Sequence, residues 1–256
     1  MTQNEKREYL IQTLMAERGE ENQAIPRDSY SQKRLLRALM NVRMPAPLSK
    51  DFLRVQDEYL QQAICEKGVT KLCDLAPLED GVYLWQGDIT TLACGAIVNA
   101  ANSQMLGCFV PCHSCIDNCI HTYAGVQLRA ACRDLMQQQG HEEPTGQAKI
   151  TPAYNLPCDY VIHTVGPIVS GRLTEEACRL LKSSYLSCLK LAEKNNVKSI
   201  AFCCISTGVF GFPQREAAEI AVSTVKEYKK TTGSDMKVIF NVFKDDDLMI
   251  YRSLLN

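Results

Sequence analysis

The residues able to do chemistry crowd into one stretch, Gln86 to Gly125, which reads QGDITTLACGAIVNAANSQMLGCFVPCHSCIDNCIHTYAG. Within it Cys108, His113 and Cys115 stand as C-x4-H-x-C around Pro111, with Asp117 and Asn118 immediately after. Thiolates and an imidazole this close together suit zinc. Asp and Asn at a helix entrance either cap free N–H groups or face a ligand, and here a ligand is expected. Spacing alone leaves the ligand set open. Cys112, Cys115, Cys119 and His121 form an alternative quartet, which would make a closed structural site, whereas three ligands leave a position open.

Two further loops suit a nucleotide. Gly87-Asp88-Ile89-Thr90 follows a strand-like run, where Asp88 can accept from an exocyclic amine and the next backbone N–H can face a ring nitrogen. Ser206-Thr207-Gly208-Val209-Phe210-Gly211-Phe212-Pro213 joins a buried strand to a helix. Its glycines let the backbone approach an anion, and a helix opened by Pro213 supplies free N–H groups and a positive dipole end. Without a P-loop lysine, such a loop suits a diphosphate that is bound rather than cleaved. Phe210 and Phe212 can each offer a ring to a sugar or base. Asn99 and Asn102, at a strand end in VNAAN, can pair with ribose hydroxyls or simply form a turn. His121 and His163 sit in apolar patterns and read as core histidines.

The elements that must position these groups alternate. Short apolar runs at Val82–Trp85, Ala96–Val98, Ala148–Tyr154, Tyr160–Val165, Ile200–Ile205 and Val238–Phe243 read as strands. Helical patterns cover Val126–Gln139, Glu175–Lys194, Gln214–Lys230 and Asp245–Leu255. This is an α/β layered fold with a largely parallel or mixed sheet, whose ligands sit beyond the carboxyl ends of the strands. Residues 1–75 read instead as three helices, the second capped near Asp28 and the third opened by Ser49 and Asp51. They form a helical extension whose main expected role is stability, with one wall of the cleft as a further role.

Composition narrows the function. A net charge of −1, one tryptophan and the absence of a basic block argue against nucleic-acid binding. No apolar run approaches a membrane span and no secretory signal is visible, so a cytoplasmic protein with no membrane partner is expected. The 13 cysteines then read as reduced thiols.

Together QGDIT, VNAAN, the run from Ile116 to Gly125, VIHTVGP and STGVFGFP resemble the macrodomain family, from about Asp80 to the C-terminus. The G-C-F-x-P-x-H-x-C-I-D-N pattern at Gly107 to Asn118 is similar to the bacterial zinc-containing subgroup, which also carries an N-terminal helical extension. The resemblance implies a three-layer α/β/α macrodomain over residues 76–256, with a mixed sheet and a zinc site in 107–118. It favours the open ligand set Cys108, His113 and Cys115, holding one zinc ion per chain. It also implies ADP-ribose as ligand: Asp88 and Ile89 at adenine, Phe243 beside it with Asn241 a weaker candidate, and Ser206, Thr207, Gly208, Val209 and Phe210 around the diphosphate. Asn102 would hold the distal ribose, with Asp117 beside it as general base or as the group that orients the attacking water. The implied activity is zinc-dependent hydrolysis of mono-ADP-ribose from Asp or Glu side chains. The implied substrate is an ADP-ribosylated protein, such as a lipoyl-carrier protein modified by a sirtuin-like transferase. An O-acetyl-ADP-ribose deacetylase and a non-catalytic ADP-ribose reader are the alternatives.

Overall fold

The computed structural model describes residues 1–47, 49–79 and 81–255; Asp80, where the resemblance begins, and Asn256 lie outside them. Three helices come first. α1 (Gln3–Ala16) is opened by a Thr2/Glu5 capping box, α2 (Ser29–Val42) by Asp28, and α3 (Lys50–Lys67) by Ser49. Each cap accepts a backbone N–H three residues on, which satisfies a donor the helix itself cannot. Leu10, Ile11, Leu14, Leu36, Leu39, Phe52, Val55 and Leu60 close a small core of their own. Ile64, near the end of α3, already belongs to the larger core that follows.

The sheet follows: β1 (Thr70–Lys71), β2 (Pro77–Glu79), β3 (Val82–Gln86), β4 (Leu92–Ala93), β5 (Ala96–Ala101), then α4 (Ile116–Ala124) and α5 (Val126–Gln139). After these come β6 (Ala148–Pro152), β7 (Tyr160–Val165), α6 (Glu175–Lys194), β8 (Ser199–Phe202), α7 (Gln214–Thr232), β9 (Lys237–Val242) and α8 (Asp245–Leu255). Seven strands pair in the order β2-β3-β9-β8-β5-β7-β6, while β1 and β4 form a separate two-residue bridge. The edge pairs β2–β3 and β6–β7 are antiparallel, and the five inner strands run parallel. This is the mixed sheet expected.

Successive side chains on a strand point to opposite faces. On β7, His163 turns toward Cys132 of α5, while its neighbour Thr164 meets Cys188 of α6. Helices therefore cover both faces, and inner strands such as Ala96-Ile97-Val98 and Ile200-Ala201 are wholly buried, as parallel strands require. Gly140 ends α5 in the left-handed conformation expected of a helix stop. Among the described residues, no helix is long and apolar enough to cross a membrane.

The parallel strands bring their carboxyl ends to one edge. Gly87-Asp88 follows β3, Asn102 follows β5, Gly166 follows β7, the Cys203–Phe212 loop follows β8 and Phe243 follows β9. A surface concavity lined by Gly81, Tyr83 and Lys237 among others lies at the amino ends of β3 and β9, away from these loops.

Candidate functional site

The metal-like loop is a tight turn set on the entrance of α4. His113 N–H donates to Val110 O at 3.2 Å, and Cys112 sits at φ 54°, a strained conformation for a residue with a Cβ. Cys115 is the N-cap of α4, its Sγ accepting the Asn118 N–H at 3.4 Å where serine would be commoner. Cys108 Sγ and His113 Nδ1 are 3.7 Å apart, and the donor atoms of Cys108, His113 and Cys115 all lie within 4.8 Å of one another. A tetrahedral zinc holds sulfur and nitrogen ligands about 3.6 Å apart, so the set fits this ion. Burial, with Cys108 alongside, pushes the Cys115 thiol up to about 12, so a cation is what would keep that sulfur ionised.

The alternative quartet does not assemble. The Cys112 thiol turns to the carbonyl of Arg34 in α2 at 3.3 Å, and Cys119 faces the Arg37 guanidinium at 3.5 Å. A different group does form beneath the loop: His121, Cys132 and His163, all buried, also offer donor atoms within 4.8 Å and could hold a metal. The His163 ring is already engaged, with Thr151 Oγ1 3.0 Å from Nε2 and Asn99 Nδ2 3.1 Å from Nδ1. Burial lowers both histidines, His163 to about 3, so both are neutral core residues.

Asp117 lies in the first turn of α4, two residues after the Cys115 cap. Its Oδ1 accepts from Asn99 Nδ2 at 2.8 Å and lies 3.6 Å from His121 Nε2, too far for a hydrogen bond. Its side chain is 8% exposed, and burial, offset by the Asn99 bond, raises its carboxyl to about 6. Asn99 is itself fully buried, so it orients Asp117 rather than reaching a sugar. That corrects the pairing of both VNAAN asparagines with ribose: an interior strand position points one of them into the core. Asn102 is half-buried and locally engaged. Its Nδ2 donates to Gly107 O at 3.2 Å and its Oδ1 accepts the Gln104 N–H at 3.1 Å, so it also shapes the turn into the metal loop. The second lone pair of Oδ1 remains for a hydroxyl.

On the nucleotide side, Asp88 caps the short turn Ile89–Thr91 through its Oδ1, while Lys67 of α3 pairs with its Oδ2 at 2.6 Å. Sequence reasoning missed Lys67, since a last-turn lysine on a helix carries no signal of such a partner. Ile89 is buried, leaving its backbone as the part able to read a base. Ser206 has φ 66° and a buried Oγ without a partner, and a Cβ at Gly208 would meet nothing within 4 Å. The backbone at Gly208 thus faces open space. Phe212 N–H to Ser206 O and Val169 N–H to Phe210 O fix the loop's outline. Val209 and Phe243 are 82% and 76% exposed, so both remain free to cover a ligand, and Phe210 is half-buried. Phe212 instead is only 2% exposed and belongs to the core. Pro213 is the N-cap of α7, one residue before the expected first position, and Asn241 is spent on the carbonyls of Trp85 and Gly87.

A model of the Macro domain family matches residues 98–221. A protein-ADP-ribose hydrolase of Treponema medium is 60% identical, covering the whole of both chains. The chain belongs to the macrodomain family. A protein-ADP-ribose hydrolase of Staphylococcus aureus (strain MRSA252) is 51% identical, over 97% of this chain and 94% of that protein. Among solved structures, the Trypanosoma brucei macrodomain in complex with ADP-ribose matches with a TM-score of 0.67 at 29% identity, over 86% of this chain and 95% of that one. The Oceanobacillus iheyensis macrodomain with ADP has a TM-score of 0.63 at 34% identity, over 71% and 93%.

Proposed function

We propose that this macrodomain is a hydrolase that removes mono-ADP-ribose from Asp or Glu side chains of a target protein, using zinc held by Cys108, His113 and Cys115. The observation that carries this reading is the shared helix entrance. Cys115 caps α4 with its donor atom within 4.8 Å of those of Cys108 and His113, and the carboxyl of Asp117, two residues on in the first turn, is raised toward neutrality. A protein that only binds ADP-ribose has no use for a buried carboxylate held beside an open three-donor set.

The diphosphate lies along the Ser206–Phe210 backbone, where free N–H groups and the α7 entrance favour negative charge. Asp88 accepts from the adenine amine, the Ile89 N–H faces the ring, and Phe243 covers the base. Asn102 holds the distal ribose through the free lone pair of Oδ1. Bound zinc supplies a Lewis acid that orients and polarises an oxygen of that sugar or of water. Asn99 fixes Oδ1 of Asp117, and Oδ2, with no hydrogen-bond partner among the described residues, accepts the proton of the attacking water. Water is added across the ester, releasing ADP-ribose and restoring the target's carboxyl group. A base so placed contributes about 10²–10⁴-fold. The resemblance supports a lipoyl-carrier protein, modified by a sirtuin-like transferase, as the target.

The test is release of ADP-ribose from a protein modified on Asp or Glu. Asp117→Asn should cut turnover by about 10²–10⁴-fold with ADP-ribose affinity kept. Cys108→Ala should lose zinc and turnover together. Full hydrolysis by a zinc-free protein would remove the metal from the chemistry, and binding without turnover in the native enzyme would leave only a reader.

A further inference from the structure

The metal loop is held from the N-terminal extension as well as by its own turn. One terminal nitrogen of Arg37, on α2 of the N-terminal extension, donates to His113 O at 2.7 Å and to Asn118 Oδ1 at 2.9 Å, and reaches Cys119 Sγ at 3.5 Å. Asn118, once fixed by that bond, distributes it. Its Nδ2 donates to Val110 O at 2.9 Å and Cys108 O at 3.3 Å, and its backbone N–H is the one that Cys115 Sγ accepts. Each of the three metal donors therefore stands at most one residue away from Arg37: His113 directly, Cys108 and Cys115 through Asn118. One turn further along α2, Asn41 Oδ1 accepts the N–H of Cys112 at 2.9 Å, pinning the strained residue of the turn. Arg129 of α5 closes the other side. It donates to Leu106 O and to the last carbonyls of α2, while its guanidinium lies 4.2 Å from the Phe109 ring centre.

We propose that Arg37 is the positioning residue of the metal centre: it pre-sets Cys108, His113 and Cys115, which makes the helical extension part of that centre. This rests on the reading that those three residues hold zinc. A charge-assisted donor to a carbonyl and an amide oxygen is stronger than a neutral one, and the rigid guanidinium plane fixes the direction of that nitrogen, which an ammonium on a flexible stem does not. Partners of metal ligands are typically worth about 10–100-fold in metal affinity.

The experiment is zinc affinity of the full chain by competition with a chromophoric chelator, for the native protein, Arg37→Met and Arg37→Lys. ADP-ribose affinity of the metal-free proteins is measured by calorimetry alongside. Arg37→Met, which keeps the aliphatic stem, should weaken zinc about 10–100-fold while ADP-ribose affinity stays within twofold. Arg37→Lys, which keeps stem and charge and so the fold if Met is not tolerated, should fall between Met and native. Native zinc affinity in a folded Arg37→Lys and Arg37→Met pair overturns the inference alone. Parallel loss of zinc and ADP-ribose binding overturns it too, because Arg37 would then serve the fold at large. A native protein that takes up no zinc overturns the metal reading underneath it.

Discussion

Single residues decide what the site can hold. Gly208 shows this cleanly, because its backbone does not need glycine: its φ is not in the left-handed region, and a Cβ there meets nothing. The space it leaves open is the space a diphosphate would fill. Gly208→Val should therefore keep the thermal midpoint within about 2 °C and lower ADP-ribose affinity at least tenfold, read by calorimetry. Unchanged affinity would move the diphosphate elsewhere. His163 makes a different point. Its folded pKa is lowered to about 3 by burial, against about 6.5 in an unfolded chain. Between those values the unfolded state binds a proton that the folded state refuses, so stability is whole above about pH 6.5 and is lost as pH falls toward 3. The full loss is roughly 3–5 kcal/mol. His163→Gln, which keeps partners for Asn99 and Thr151, should flatten the pH dependence of urea unfolding over that window. An equally steep profile would assign the acid sensitivity to other groups.

Elements position these residues, and the joints between them are side chains rather than backbone. α5 begins directly after Gly125, which has no side chain to cap it. Gln56 of α3 supplies the cap instead: its Oε1 accepts the Val126 N–H at 3.0 Å, and its Nε2 reaches Gln127. A cap lent by another helix ties that helix's placement to the capped one. Gln56→Ala should cost about 1–2 kcal/mol in denaturant unfolding, and amides in the first turn of α5 should exchange faster than those of α6. Equal exchange in the two helices would show that α5 needs no borrowed cap. The sequence is a good guide to such elements where their signals are local. Asp28, Ser49 and Gly140 cap or stop the helices as their types suggest, and Tyr160–Val165 is the strand its β-branched run implies. Strands β1, β2 and β4, of two or three residues, leave no period to read. In the candidate site, the proposed metal donors and the loop proposed for the diphosphate are contiguous motifs, so a sequence can nominate them. Arg37 and Lys67 are not, because each sits on an ordinary helix and acts on a loop 21 to 82 residues away. Phe212 and Asn99 mislead for the converse reason: a motif fixes residue type, while the strand or turn register decides which side chain is turned inward.

At the scale of the molecule, the helical extension and the α/β body are two apolar cores joined, apart from Ile64 of α3, by a polar seam. The small core of α1, α2 and α3 touches the body's apolar residues chiefly through Val126. Across the seam run directed bonds: Asn41 to Thr122, Asp57 with Asn155 and Gln127, Gln56 to Val126, Lys67 to Asp88 and Arg37 to the metal loop. A polar seam is weak in burial but exact in orientation, since each bond fails if the helices shift by an ångström or two. Damage to the small core should therefore reach the body as lost geometry before lost folding. Phe52, 1% exposed at the centre of that core, is the place to test this. Phe52→Ala should cost about 3–5 kcal/mol of the extension's packing. The expected pattern is an early unfolding step for residues 1–67 by hydrogen exchange, weakened zinc binding, and far-ultraviolet signal from the sheet retained until a later transition. A single cooperative transition with native zinc affinity up to its onset would mean that the two cores stand or fall together, and that the seam transmits stability rather than alignment.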